Sequence, residues 1–219
     1  SFLSYEFQRL IVSSFFFVVA YILHRKFSFT DSKKVGIAIY ANGVEDLASI
    51  HSKIGYFPDF IHVDIIDRTM KNDAEEVKTY KLETMKALWP NTQIQTHVMS
   101  YKPSIWLKEV ILYSDVVYVH VECEENVFNL FDIIKSKGKK AGLALTMKTN
   151  IKDVIKYLKL ADYVLLLTIP NPGNSGQKFD SDGIMKINEI NNLNFRNRFL
   201  LCIDGGVNEN IVNYLDAEN

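Results

Sequence analysis

The chain is short of cysteine, of excess charge and of dinucleotide-loop signatures, and each shortage removes a class of protein. Only two cysteines occur in 219 residues, Cys123 and Cys202. They are too few and too far apart for a disulfide framework or a CxxC zinc motif, and a reducing compartment fits. Formal net charge is −1, which leaves no basic excess for a polyanion, so no nucleic-acid partner is expected. The first strand region, Gly36–Gly43, reads GIAIYANG rather than G-x-G-x-x-G, which counts against a dinucleotide-binding open sheet. Hydrophobic residues make up 47% and charged residues 23%. That balance excludes disorder and supports one large domain with a sizeable core.

The N-terminal end is different. Leu10–Leu23 (LIVSSFFFVVAYIL) is an apolar run of about 14 residues, below the ~18–20 that usually span a bilayer. Phe2, Leu3, Tyr5 and Phe7 lengthen it, with Glu6, Gln8 and Arg9 interrupting. His24, Arg25 and Lys26 follow, then Phe27 and Phe29. A basic cluster with aromatics at the end of an apolar helix reads as a membrane-interface anchor whose C-terminal side is cytosolic. A signal peptide is disfavoured, because no small-residue cleavage site follows and the charge lies after the run. A buried helix and a monotopic anchor are the alternatives. The expected organisation is a membrane-anchor helix over residues 1–29, a linker over 30–34, and a domain over 35–219 on the cytoplasmic face of the membrane.

Beyond the linker the chain alternates. Val35–Ile39, Phe60–Ile65, Gln93–Val98, Val116–Val121, Ala141–Leu145, Tyr163–Thr168 and Phe199–Ile203 read as strands, being β-branched or aliphatic runs bounded by polar or turn residues. Helical patterns cover Val44–Ser52, Ala74–Leu88, Ser104–Tyr113, Asn126–Lys137, Ile151–Leu158, Asp182–Asn191 and Asn208–Tyr214. Strict alternation with nearly continuous apolar strands predicts an α/β fold with a parallel sheet covered on both faces. About seven strands is one short of a (β/α)8 TIM barrel; a doubly wound sheet is the alternative.

Polar residues recur at the C-terminal ends of these strands, as a barrel mouth requires: Asp64, His97, His120 with Glu122, Thr168 and Asp204. His62 and Asp64 sit two apart, so both face one side of the second strand. Burying an imidazole beside a carboxylate is costly unless they pair or bind a metal; the segment alone leaves both readings open. Asp204-Gly205-Gly206 permits close backbone approach to a ligand or makes a plain turn. Pro170–Lys178 (PNPGNSGQK) is a loop whose backbone N–H groups suit an anion nest or a surface turn.

Together, His62–Asp67 (HVDIID), Thr96–Met99 (THVM), His120–Glu122 (HVE), Ala141–Leu145 (AGLAL), Asn171–Phe179 (NPGNSGQKF) and Ile203–Val207 (IDGGV) resemble ribulose-phosphate 3-epimerases in order and spacing, from about Val35 to the C-terminus. The resemblance implies a (β/α)8 barrel that inverts carbon 3 of a ketose phosphate. It implies one divalent metal, Zn²⁺, Fe²⁺, Mn²⁺ or Co²⁺, on His62, Asp64, His97 and Asp204. It implies Asp64 and Asp204 as the two acid/base groups, and phosphate binding by the loop Gly173, Asn174, Ser175, Gly176 and by Gly205 and Gly206. Met99 matches a methionine of the substrate wall.

The chain also departs from that pattern. Ala38 stands where the family has a substrate-touching serine, and Arg68–Asp73 replaces the family's Gly and Phe-Val-Pro-Asn-type loop. Arg68 offers a cation for a second anionic group, or a solvated surface charge. The eighth strand is missing after Asn219, so a fragment or a truncated, inactive gene product is expected. Phe15–Phe29 resembles the last helix of GtrA-like membrane proteins, which implies a larger membrane domain upstream. The leading expectation is therefore a membrane-tethered, metal-dependent sugar-phosphate 3-epimerase, monomeric or a homo-oligomer. A non-catalytic sugar-phosphate-binding domain attached to a membrane glycan transporter is the alternative. A related barrel decarboxylase ranks low, because Asp64-Ile-Ile-Asp67 lacks the lysine of Asp-x-Lys-x-x-Asp.

Overall fold

A computed structural model describes residues 33–43, 46–174, 176–212 and 214–215. The expected anchor over 1–29, most of the linker, and Ser175 lie outside them. Among the described residues no helix is long and apolar enough to cross a membrane.

Seven parallel strands pair in chain order: β1 (Gly36–Tyr40), β2 (Phe60–Ile66), β3 (Gln93–Met99), β4 (Val116–His120), β5 (Lys140–Leu145), β6 (Tyr163–Leu167) and β7 (Leu200–Asp204). Returning helices connect them: α1 (Leu47–Ile54), α2 (Tyr80–Leu88), α3 (Ser104–Tyr113), α4 (Val127–Ser136), α5 (Ile151–Leu158) and α6 (Gly183–Asn191), with a short α7 (Glu209–Val212) after β7. Asp46, Asn126 and Asn150 cap α1, α4 and α5 by accepting hydrogen bonds from first-turn N–H groups. In α4, Val127, Leu130, Phe131 and Ile134 are buried, the i, i+3, i+4, i+7 stripe that seats a helix on a sheet.

Side chains alternate across the sheet. Ile61, Val63 and Ile65 of β2, Val117 and Val119 of β4, and Leu143 and Leu145 of β5 belong to the main core, with the buried stripes of the helices. The opposite face carries a smaller cluster of Val116, Tyr118, Ala144, Leu165 and Leu167 together with several polar groups. Gln93 Nε2 donates to Tyr163 Oη over 3.2 Å, Tyr118 Oη donates to Gln95 Oε1 over 2.7 Å, and Tyr118 Oη lies 3.1 Å from Cys202 Sγ. These contacts join β3 to β6 and β4 to β7, so the sheet is rolled and this face is its interior. Gly142 makes room there: a Cβ on it would lie 2.2 Å from the Tyr118 ring. Among the described residues no ladder joins β7 to β1, so the structure is a barrel-like sheet of seven strands, open on one side.

The strand expectations hold to within a residue or so at each end. The helix expected over Ala74–Leu88 begins only at Tyr80. Residues 74–79 are instead drawn out along the barrel mouth. Asn42 Nδ2 donates to Glu75 O over 2.6 Å and to Ile66 O over 2.9 Å, while Lys78 Nζ reaches Asn42 O over 3.4 Å. Fully buried Asn42 thus ties β1, β2 and this segment together, and satisfying its amide outweighs the local helical preference.

Candidate metal centre

Three strands deliver the site. His62 and Asp64 point inward from β2, His97 from β3 and Asp204 from the end of β7. In a flat sheet β2 and β7 would stand roughly 24 Å apart, five spacings of about 4.8 Å. Yet one ligand atom from each of His62, Asp64, His97 and Asp204 lies within 4.8 Å of all the others. Rolling the sheet is what assembles the cluster. His97 Nδ1 is 3.0 Å from Asp64 Oδ1, and His62 Nε2 is 3.4 Å from the same oxygen. The side chains of His62 and His97 are only 6% and 1% exposed, and Asp64 keeps 20%, so the cluster opens to solvent on the carboxylate side.

His62 Nε2 is buried with no hydrogen-bond partner of adequate geometry. An orphaned imidazole nitrogen beside two carboxylates and a second imidazole is a donor set for a divalent cation. Ligands bonded at about 2.0–2.2 Å to one ion would sit near these separations, so the residues present fit such an ion.

The carboxylates are driven apart electrostatically. Burial opposes ionisation of Asp64, but pairing with His62 and His97 holds its carboxyl well below the usual range. Burial and the Asp64 charge push the Asp204 carboxyl up, against the pull of His62. Burial also works against charge on His62, yet Asp64, helped by Asp204, raises it. Burial drives His97 down to about 4, with the charges of His120 and His62 adding to it. Two acids with opposed shifts in one site are poised for different protonation states.

The remaining expected residues surround this centre. Gly173 and Gly176 take φ of +81° and +76°, and Gly205 and Gly206 take +102° and +70°. The Gln177 side chain holds the first loop shut, donating to Asn171 O and Asn174 O over 2.6 and 2.7 Å. The second turn packs closely on the segment that follows the first: a Cβ on Gly206 would lie 2.2 Å from Phe179 N and 2.7 Å from Lys178 C. Met99 is buried with Ile66 and Ala74 against Tyr40 and Met70, forming an apolar wall. Arg68 donates from Nε to Ala74 O over 3.2 Å, a contact within its own loop. Lys71 instead crosses the mouth to Gly173 O and Asn174 Oδ1, at 3.3 and 2.9 Å.

Several neighbours were not singled out as site residues from sequence. Tyr40 stands opposite Asp64 in the β1–β2 register. Asp67 accepts from Ser100 Oγ (2.6 Å), Trp106 Nε1 (2.8 Å) and Thr69 N (2.9 Å), anchoring the β2 loop. His120 and Glu122 were visible as polar strand-end residues, but the contact of His120 with His97, at 2.9 Å between Nε2 atoms, required the β3–β4 register.

A rolled parallel sheet with a two-histidine, two-aspartate cluster at its carboxyl end is a barrel-like fold with a candidate metal site. The comparisons with known proteins make this specific. Residues 38–219 match the model of the Ribulose-phosphate 3 epimerase family, and the chain belongs to that family. Ribulose-phosphate 3-epimerase of Chlamydia pneumoniae is 30% identical over 158 residues, covering 69% of this chain and 67% of that protein. The Aquifex aeolicus enzyme is 30% identical, covering 69% and 68%. The aligned region thus spans about two thirds of each relative's length. Among solved structures, a tryptophan synthase alpha-subunit mutant from Pyrococcus furiosus superposes with a TM-score of 0.57 at 14% identity, covering 84% of each chain. 3-Hexulose-6-phosphate synthase from Salmonella typhimurium gives 0.53 at 15%, covering 80% of each. At such identities these two likenesses concern the fold alone.

Proposed function

We propose that the protein epimerises carbon 3 of a ketose phosphate, ribulose 5-phosphate or a relative, by two-base proton transfer through an enediolate. The observation that carries the reading is the convergence of Asp64 and Asp204 from distant strands onto one cluster with His62 and His97, in a chain of this family. His62, Asp64, His97 and Asp204 would hold one divalent ion, Zn²⁺, Fe²⁺, Mn²⁺ or Co²⁺. Bound there, it would supply Lewis acidity that stabilises the developing enediolate.

The side chains do the rest. Asp64 takes the proton from carbon 3 on one face, and the bonding pair moves into the enediolate. Asp204, protonated at the start of the step, returns its proton to the opposite face, and the roles exchange in the reverse direction. Tyr40, Ile66 and Met99 wall the site and limit water access. The glycine turns at 173–176 and 205–206, with Ser175 in the first, receive the phosphate through backbone N–H groups. Lys71 adds a cation at the rim, a role the sequence pattern suggested for Arg68. The membrane tether through residues 10–29 remains part of this proposal and puts the barrel at the cytoplasmic face. Salt-resistant membrane fractionation that disappears on deleting residues 1–29 checks it.

The test is conversion of ribulose 5-phosphate to xylulose 5-phosphate by protein reconstituted with each metal in turn. Turnover with at least one metal, abolished by chelation, is expected. A metal-bound protein that turns over no ketose phosphate would favour the non-catalytic binding domain.

A further inference from the structure

We propose that Glu122 and His120 are positioning residues for His97, holding it as the Nε2–H tautomer with its Nδ1 lone pair turned to the metal position. The inference rests on the metal reading above.

The geometry is a chain of short contacts. Glu122 Oε2 lies 3.0 Å from His120 Nδ1, His120 Nε2 lies 2.9 Å from His97 Nε2, and His97 Nδ1 lies 3.0 Å from Asp64 Oδ1. The two rings are tilted by only 25°, with centres 5.0 Å apart. With facing nitrogens at 2.9 Å, that spacing belongs to rings meeting edge to edge, as an N–H···N bond needs. Both histidine side chains are 1% exposed, so water does not stand in for a missing partner. Glu122 is itself fixed: its Oε1 accepts from Thr146 Oγ1 over 3.0 Å and from Thr149 Oγ1.

Counting protons leaves two arrangements of opposite sense, and the metal reading selects between them. Two neutral imidazoles carry two N–H groups, and the chain has three contacts to satisfy. An ion on His97 Nδ1 puts the His97 proton on Nε2, and His120, facing that donor, then carries its own proton on Nδ1 and donates to Glu122. Its Nε2 is then a lone pair and accepts from His97 Nε2–H. Without the ion His97 Nδ1 can donate to the Asp64 carboxylate 3.0 Å away; in the selected tautomer it presents a lone pair there, and a cation lying against both removes the repulsion. The array is completed by the ion that His62, Asp64, His97 and Asp204 would share. A carboxylate behind a metal-binding histidine is a known way to fix its tautomer and direction; here a second histidine relays that effect from the β4 end to the ligand.

The test uses the zinc-loaded protein with ¹⁵N-labelled histidine. Long-range ¹H–¹⁵N correlation is expected to report His97 as Nε2–H and His120 as Nδ1–H. In Glu122→Ala, zinc affinity measured by chelator competition is expected to fall about 10–100-fold, with partial recovery in Glu122→Gln, whose amide oxygen still accepts. Thr149→Val, which only loosens Glu122, is expected to weaken zinc binding in the same direction. His97 carrying its proton on Nδ1 with zinc bound, or equal zinc affinity in the wild type and all three variants, overturns the relay and leaves the metal reading intact. A wild type that takes up no zinc, iron, manganese or cobalt overturns both.

Discussion

Asp64 and Asp204 sit on strands five places apart in the sheet, yet their carboxylates meet within one 4.8 Å cluster. No local segment could bring these two acids together; the roll of the sheet does. The fold and the proposed chemistry are therefore the same fact at two scales, and each can be broken separately.

The first prediction concerns the cluster as a metal site. Zinc at about 100 times its Kd should add about 2.7 kcal/mol of stability, a rise of about 5–10 °C in Tm for a domain of this size. Calorimetry with and without chelator measures it. His62→Ala should abolish the rise, because it removes a buried candidate ligand nitrogen that otherwise has no hydrogen-bond partner.

The second concerns Asp67. Burial works to raise its carboxyl, but hydrogen bonds from Ser100, Thr69 and Trp106 hold it below its ordinary value of 3.8. A depressed folded-state value means the stabilisation is complete above that ordinary value and is lost as pH falls through the lower one. Asp67→Asn should cost about 1.5–3 kcal/mol at pH 7, since its amide presents a donor where donors already converge. Urea unfolding should show the gap between wild type and variant shrinking below about pH 4.

How much was legible in the sequence follows from what kind of interaction set each feature. Strands were legible because a sheet buried on both faces demands unbroken apolar runs; Asp64, His97 and Asp204 were polar exceptions towards their ends, but only the family resemblance joined them with His62 and set them apart from His120, Glu122 and Thr168. Residues 74–79 were not, because buried Asn42 claims Glu75 O from β1, a contact invisible to local periodicity. Lys71 was overlooked in favour of Arg68, because which cation of a rebuilt loop faces the mouth depends on how Asp67 anchors that loop. The apolar run at residues 10–23 lies outside the described residues, and its reading remains a proposal.

The third prediction concerns the phosphate turns. Gly206 has φ +70°, and a Cβ there would meet the backbone nitrogen of Phe179 at 2.2 Å. Backbone cannot yield as a flexible side chain would, so Gly206→Ala should push the Gly205–Gly206 turn away from the Lys178–Phe179 segment. Inhibition by inorganic phosphate should weaken about 10-fold or more, the loss of about one charge-assisted hydrogen bond. Titration of activity against phosphate reads it.

The fourth concerns Lys71, whose Nζ already reaches Gly173 O and Asn174 Oδ1. Lys71→Met keeps most of the side-chain bulk and removes the charge. KM for the ketose phosphate should rise about 10-fold with kcat nearly unchanged, the mark of uniform binding lost. Steady-state kinetics with Arg68→Met as comparison should show the smaller effect at Arg68.

The central claim, that two opposed carboxylates exchange a proton at carbon 3, is tested most directly by solvent-deuterium incorporation at that carbon in the metal-loaded protein. The account predicts incorporation into both epimers by wild type, and its loss, with metal still bound, in Asp64→Asn and in Asp204→Asn. Undiminished incorporation in both variants, or none in metal-loaded wild type with any ketose phosphate, would contradict it.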